Sequence, residues 1–257
     1  MRLVVPRLRP LAILLAVATL AACSDSSSAP PAPPANVTPV DAATAGTITV
    51  TVEYGGAAPA PKPISMGGVP ACAALHPDGV TDQPIKVTDG KLAGAVVFIK
   101  SGFGDRAFAP PTTPAEIDQK GCLYEPQVAA VMVGQPLKFL NSDTESHNVH
   151  GKPQVADGWN FLMSRQGASR DVFFTKPEIG IPVGCDIHPW MRAYVSVFDN
   201  PYFGVTGSNG SVALTNVPPG DYVVGVWHPL LGTMVQPIKV APSAAANVTF
   251  GFQPPAS

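Results

Sequence analysis

Apolar and polar residues alternate with a period of two in several short stretches of this chain, the spacing of a strand with one buried face. Ile48, Val50, Val52 and Tyr54 interleave with Thr47, Thr49, Thr51 and Glu53. Ala193, Val195 and Val197 interleave with Tyr194, Ser196 and Phe198. Tyr222, Val224 and Val226 open a further strand, and Val248, Phe250 and Phe252 a last one. Ala95 to Ile99 is an unbroken apolar run, as expected of a strand covered on both faces. Gly and Pro together make 54 of the 257 residues, so turns are frequent and long helices are not expected. Single helical turns are expected near 71–75 and 114–119. The fold class is all-β.

The first 22 residues break this pattern. Arg2, Arg7 and Arg9 precede an apolar stretch of twelve residues, Leu11 to Ala22, too short to span a bilayer and suited to a signal peptide. It runs into Leu20-Ala21-Ala22-Cys23, which resembles a bacterial lipobox. That resemblance implies cleavage before Cys23, lipid on its sulfur, and attachment to a membrane of the cell envelope. Ser24 in place of Asp points to the outer membrane, with the protein facing the periplasm. Residues 23–45 are rich in Pro, Ala and Ser and read as an extended, disordered tether. Losing residues 1–22 removes three Arg and no acidic residue, so the net charge moves from −2 to −5. A mildly acidic chain without a basic run argues against a nucleic-acid partner.

Chemistry concentrates in Cys185-Asp186-Ile187-His188-Pro189-Trp190-Met191, with His147 lying 38 residues upstream of Cys185. A thiolate, two imidazoles and a thioether form the donor set of a trigonal His₂Cys copper site with a weak axial Met. The chain has four Cys, five His and six Met, so composition alone would produce Cys-x₂-His-x₂-Met with odds of roughly 0.002. His147 is favoured over His150, which lies three positions further along an extended segment and so points to the opposite face. Asn148, Asp186 and Trp190 are expected around the ligands, Trp190 either as a core anchor or in an apolar docking patch. With Cys23 lipidated and Cys185 a ligand, Cys72 and Cys122 are left to pair in an oxidising compartment. A second metal held by Cys72, His76 and Cys122 is the alternative. His228 reads as structural or solvent-exposed.

Residues 120–198 resemble the cupredoxins, and amicyanin most closely. The segments that carry this are Lys120 to Pro126, Val133 to Asn141, His147 to His150, and Cys185 through Met191 into Val195. The resemblance implies His147, Cys185, His188 and Met191 as ligands of one type 1 (blue) copper, with Asn148 bonding to the Cys loop. Gly207 and Gly210, followed by Val217-Pro218-Pro219-Gly220-Asp221-Tyr222, resemble the carboxypeptidase-regulatory-like β-sandwich, a carbohydrate-binding-like fold. The expected arrangement is a Greek-key cupredoxin, 118–199, inserted in a regulatory-like sandwich made of 46–104 plus 200–253. Two adjacent domains, with 92–100 opening the cupredoxin, remain the alternative.

No carboxylate pair, nucleophile elbow or Gly-rich phosphate loop suggests an enzyme. The leading expectation is a lipid-anchored carrier moving single electrons between redox proteins such as cytochromes or a dehydrogenase. A copper-holding or delivery lipoprotein is a second reading. A third is an envelope module whose sandwich binds carbohydrate or protein.

Overall fold

The computed structural model describes residues 1, 31, 32 and 34–254. The signal peptide, the lipidation site Cys23 and most of 23–33 lie outside the described residues. Among the described residues, no helix is long and apolar enough to cross a membrane.

The all-β expectation holds: twenty strands and one short helix make up the regular structure of the described residues. In chain order the first part comprises β1 (Gly46–Tyr54), β2 (Lys62–Pro63), helix α1 (Pro70–Ala74), β3 (Thr81–Asp82), β4 (Lys86–Thr88), β5 (Lys91–Ala93) and β6 (Val96–Ser101). The middle comprises β7 (Ala115–Lys120), β8 (Leu123–Glu125), β9 (Val128–Met132), β10 (Leu137–Asn141) and β11 (His147–Gly151). It continues with β12 (Trp159–Met163), β13 (Ala168–Val172), β14 (Glu178–Gly184) and β15 (Arg192–Phe198). The last part comprises β16 (Phe203–Val205), β17 (Ser211–Val217), β18 (Gly220–His228), β19 (Gly232–Val240) and β20 (Ala245–Phe252).

Strands from the two ends of the chain share sheets. β1 lies between β17 and β5, with β4 beyond β5, and β20 runs parallel to β1 from Thr47↔Ala245 to Tyr54↔Phe252. The sheet β16-β6-β18-β19 completes this set. Its core is Ile48, Val50, Val52 and Tyr54 from β1, packed with Leu92, Val97, Ile99, Val224, Val226 and Phe250. The strict alternation of burial along β1 is the period-two pattern of its sequence. The continuous run at 95–99 is buried throughout, as read.

The middle strands form two sheets of their own, β13-β10-β7-β8 and β12-β11-β14-β15-β9. Ile117, Tyr124, Leu137, Phe139, Val149, Val183 and Val195 fill the space between them. A third cluster lies where the two sets meet. Phe98 and Phe198 stack at 4.9 Å between ring centroids, Phe198 and Phe203 at 5.1 Å, and Trp227 packs against the same group.

Two local expectations fail. The segment near 114–119 is strand β7, not a helical turn; Ile117 and Gln119 alternate inward, and β10 pairs with it in parallel from Leu137↔Ala115 to Asn141↔Gln119. Pairing with a buried neighbour outweighs the weak helical preference of so short a stretch. The distal end of the expected tether is also docked. Val37 bridges Ala107, Val40 packs on the β1 core, and Ser243 Oγ donates to the carbonyl of Ala43 at 2.7 Å.

Candidate metal centre

β11 and β14 are antiparallel and meet at His150↔Gly184 and Gly151↔Val183. The last residues of β11 therefore lie beside the end of β14 and its start runs on past it, which brings His147 to the loop that begins at Cys185. That loop is closed on itself: Met191 N–H donates to the His188 carbonyl at 2.9 Å, and Cys185 N–H to the Met191 carbonyl at 3.3 Å.

Three donor atoms, from His147, Cys185 and His188, lie within 4.8 Å of one another, and all three residues are buried. His147 Nδ1 is 2.9 Å from His188 Nδ1, and Cys185 Sγ is 3.8 Å from that same nitrogen. Two imidazole nitrogens each about 2.0 Å from one shared ion would stand about 3 Å apart, and a thiolate at about 2.3 Å would stand somewhat further off. The observed separations fit that arrangement. Met191 ends the loop and is buried at 1% exposure in the same core.

The hydrogen-bond partners of the two rings agree with ligation. Asp143 Oδ2 stands 2.9 Å from His147 Nε2, and the Asp143 carboxylate also accepts N–H bonds from Gly121 and Cys122, each at 2.7 Å. An acceptor at Nε2 keeps the proton there and leaves Nδ1 with a free lone pair aimed at the other donors. Burial first, and the neighbouring His147 second, push the His188 imidazole below its ordinary range, so it is neutral and able to ligate.

The ligand loop is held from several sides. Asn148 N–H points at Cys185 Sγ at 3.5 Å. The Asn148 side chain accepts from Asp186 N–H at 2.6 Å and donates to the Asp186 carboxylate at 3.0 Å. Asp186 also receives Asn160 Nδ2 and faces His150 Nδ1 at 2.9 Å, and these contacts, the one from His150 foremost, lower its carboxyl below the usual range. His150 is thus committed to Asp186 on the outer face, away from the three donors. Below the site the Tyr124 hydroxyl reaches the carbonyls of Asn148 at 2.8 Å and Gly184 at 3.1 Å, one on each side of the β11/β14 junction. Burial pushes this phenol well above its ordinary range, so it is a fixed, neutral donor.

Cys72 and Cys122 form a disulfide, which removes both from any second metal site. His76 Nε2 instead sits 2.7 Å from the Gly121 carbonyl. Trp190 is half-buried; its Nε1 donates to the Cys122 carbonyl at 2.9 Å and its ring lies 5.2 Å from that of His188. It anchors the loop to the disulfide turn. His228 is buried at 1% exposure, not solvent-exposed, and burial lowers its pKa to about 4.

Sequence reasoning missed Asp143 and Tyr124. Asp143 sits in a polar loop, Ser142 to Ser146, where no periodicity distinguishes it, and two of its three partners are backbone groups more than twenty positions away. Its place four residues before His147 is the one local signal.

No protein-family model matches the chain, and no curated protein matches it. Among solved structures, similarity is found to a copper-containing nitrite reductase from Thermus scotoductus, at 22% identity and TM-score 0.30, covering 39% of this chain and 26% of that one. A methionine-to-alanine variant of amicyanin with Cu(I) matches at 22% identity and TM-score 0.30, covering 39% of this chain and 97% of that one. A purple cupredoxin from Nitrosopumilus maritimus matches at 20% identity and TM-score 0.28, covering 32% of this chain and 98% of that one. At those scores the likeness says nothing about the site, whose case rests on its own side chains.

Proposed function

We propose that this chain is a cupredoxin-type electron carrier in which His147, Cys185 and His188 hold one copper ion and Met191 is a weak further donor. The observation that carries the reading is the buried convergence of two imidazole Nδ1 atoms and one thiol, with Asp143 fixing the ligating tautomer of His147. Copper in such a donor set supplies one-electron chemistry, because thiolate sulfur suits Cu(I) and imidazole suits both oxidation states.

The protein's own groups keep the donors still. The Asn148 N–H faces the Cys185 sulfur, the Asn148 side chain clamps the Asp186 end of the loop, and Tyr124 ties the two strands beneath it. Donors held this firmly move little when charge changes, which favours transfer of an electron over binding and turnover of a substrate. We accordingly read the chain as a carrier rather than an enzyme.

In this reading residues 118–199 are the copper unit, and 46–104 with 200–253 form a regulatory-like sandwich that supports it. Lipid on Cys23 would hold the protein at the cell envelope, facing the periplasm, where donor and acceptor redox proteins would meet it. Copper added to the purified chain should give an intense thiolate-to-Cu(II) absorption in the visible, bleached by reductant and missing in Cys185→Ser. A colourless copper-loaded protein would sink the proposal.

A further inference from the structure

The outer nitrogen of His188 faces a segment with little regular structure. His188 is only 2% exposed, and a sulfur faces its outer nitrogen: Cys72 Sγ stands 3.8 Å from His188 Nε2. Cys122 Sγ belongs to a second close group, with Asp143 and His147, whose donor atoms lie within 4.8 Å of one another. The Cys72–Cys122 bridge therefore runs along the side of the two imidazoles that faces away from the metal-binding nitrogens.

Cys72 is carried by residues 64–80, whose regular structure is the five-residue α1 alone, without a side-chain hydrogen bond at its N-terminus. Two-residue strands, β2 and β3, flank it. Met66 packs into the core with Ile64, Val69, Ala73 and Val80 against it. Its backbone hydrogen bonds, Ile64 N–H to the Val80 carbonyl among them, fold it on itself, and beyond these contacts the disulfide and His76 on the Gly121 carbonyl tie it to the rest of the chain. With few polar ties from this segment to the rest of the fold, its closure depends on the cross-link, and such segments open locally before the fold does.

We propose that residues 64–80 are a lid over His188, one of the candidate metal ligands, and that the Cys72–Cys122 bond is its latch. The lid's purpose rests on the metal-centre reading above; its existence does not. Closing the latch needs a disulfide donor: the two thiols lose their protons and two electrons, the Cys72–Cys122 bond forms, and the donor's own disulfide is reduced to two thiols. Both sulfurs are 0% exposed once joined, so the closed latch is shielded from thiols in solution.

The test follows alkylation of Cys185 by N-ethylmaleimide in the metal-free full chain, with the modified cysteine assigned by peptide mass analysis. Cys72→Ser/Cys122→Ser should label at Cys185 roughly tenfold faster or more than the disulfide-bonded chain. Equal rates would overturn the lid. Amide hydrogen exchange separates opening from unfolding. Exchange should accelerate within 64–80 while β10 and β14 stay protected; acceleration of all three together would mean a staple of the whole fold and would refute the proposal. Because no copper is present, failure of the copper reading leaves this result unaffected, and the reverse also holds.

Discussion

Replacing Asp143 by Asn keeps the shape of the side chain and tests the claim that a carboxylate sets the His147 tautomer. Asp143 accepts from Gly121 N–H, Cys122 N–H and His147 Nε2. An amide offers one acceptor oxygen and puts two donors where the other oxygen stood. If the NH₂ faces Gly121, one part-buried N–H loses its partner, which costs up to about 3 kcal/mol. If it faces His147, the imidazole must accept at Nε2 and carry its proton on Nδ1, where it blocks ligation. Losing the charge-assisted character of the remaining bonds adds about 1 kcal/mol, partly offset because a buried carboxylate is no longer desolvated. The expected sum is a loss of about 1–3 kcal/mol in urea unfolding of the metal-free chain, with copper affinity weakened about 10–100-fold. Competition titration at the thiolate-to-copper absorption reads the second quantity, and nitrogen NMR of the His147 ring reads the tautomer directly. Unfolding free energy within about 0.5 kcal/mol of the parent, together with unchanged affinity, would refute the reasoning.

His228 gives a pH dependence remote from the metal ligands. Its folded pKa of about 4 lies below the ordinary 6.5, chiefly through burial, so between those values the unfolded chain binds a proton that the folded one does not. Stability should therefore fall on the order of 2–3 kcal/mol as pH drops from about 6.5 to about 4, and His228→Gln should flatten that part of a urea-midpoint profile. Gly180 has φ +75°, and a Cβ there would stand 2.3 Å from the Trp227 ring. Gly180→Ala should lower stability by about 2–4 kcal/mol in thermal or urea unfolding while leaving the copper absorption in place; a neutral variant would show that the junction yields easily.

How far the sequence could be read depended on the range of the forces involved. β1 was legible because its alternation is local and its burial follows it residue by residue. The convergence of His147, Cys185 and His188 was legible because a shared metal would restrict side-chain chemistry and loop length at once. β7 was misread since six residues with one strong apolar anchor, Ile117, carry little periodic information, and parallel pairing with β10 decides the matter. Asp143 escaped because its role is defined by backbone N–H groups of the Cys122 turn, which look like any others in sequence. The cover over His188 escaped for the same reason: pairing Cys72 with Cys122 was foreseeable, but not that their sulfurs would lie against the ligand ring.

The His188 ring has Cys185 sulfur 3.8 Å from one nitrogen and Cys72 sulfur 3.8 Å from the other. Three thiols gathered in one pocket can couple in three ways, and only one of these leaves the ligand sulfur unspent. The imidazole offers one nitrogen toward each sulfur, so Cys185 and the disulfide meet different edges of one ring. One imidazole thus has a reduced sulfur off one ring nitrogen and an oxidised sulfur pair off the other.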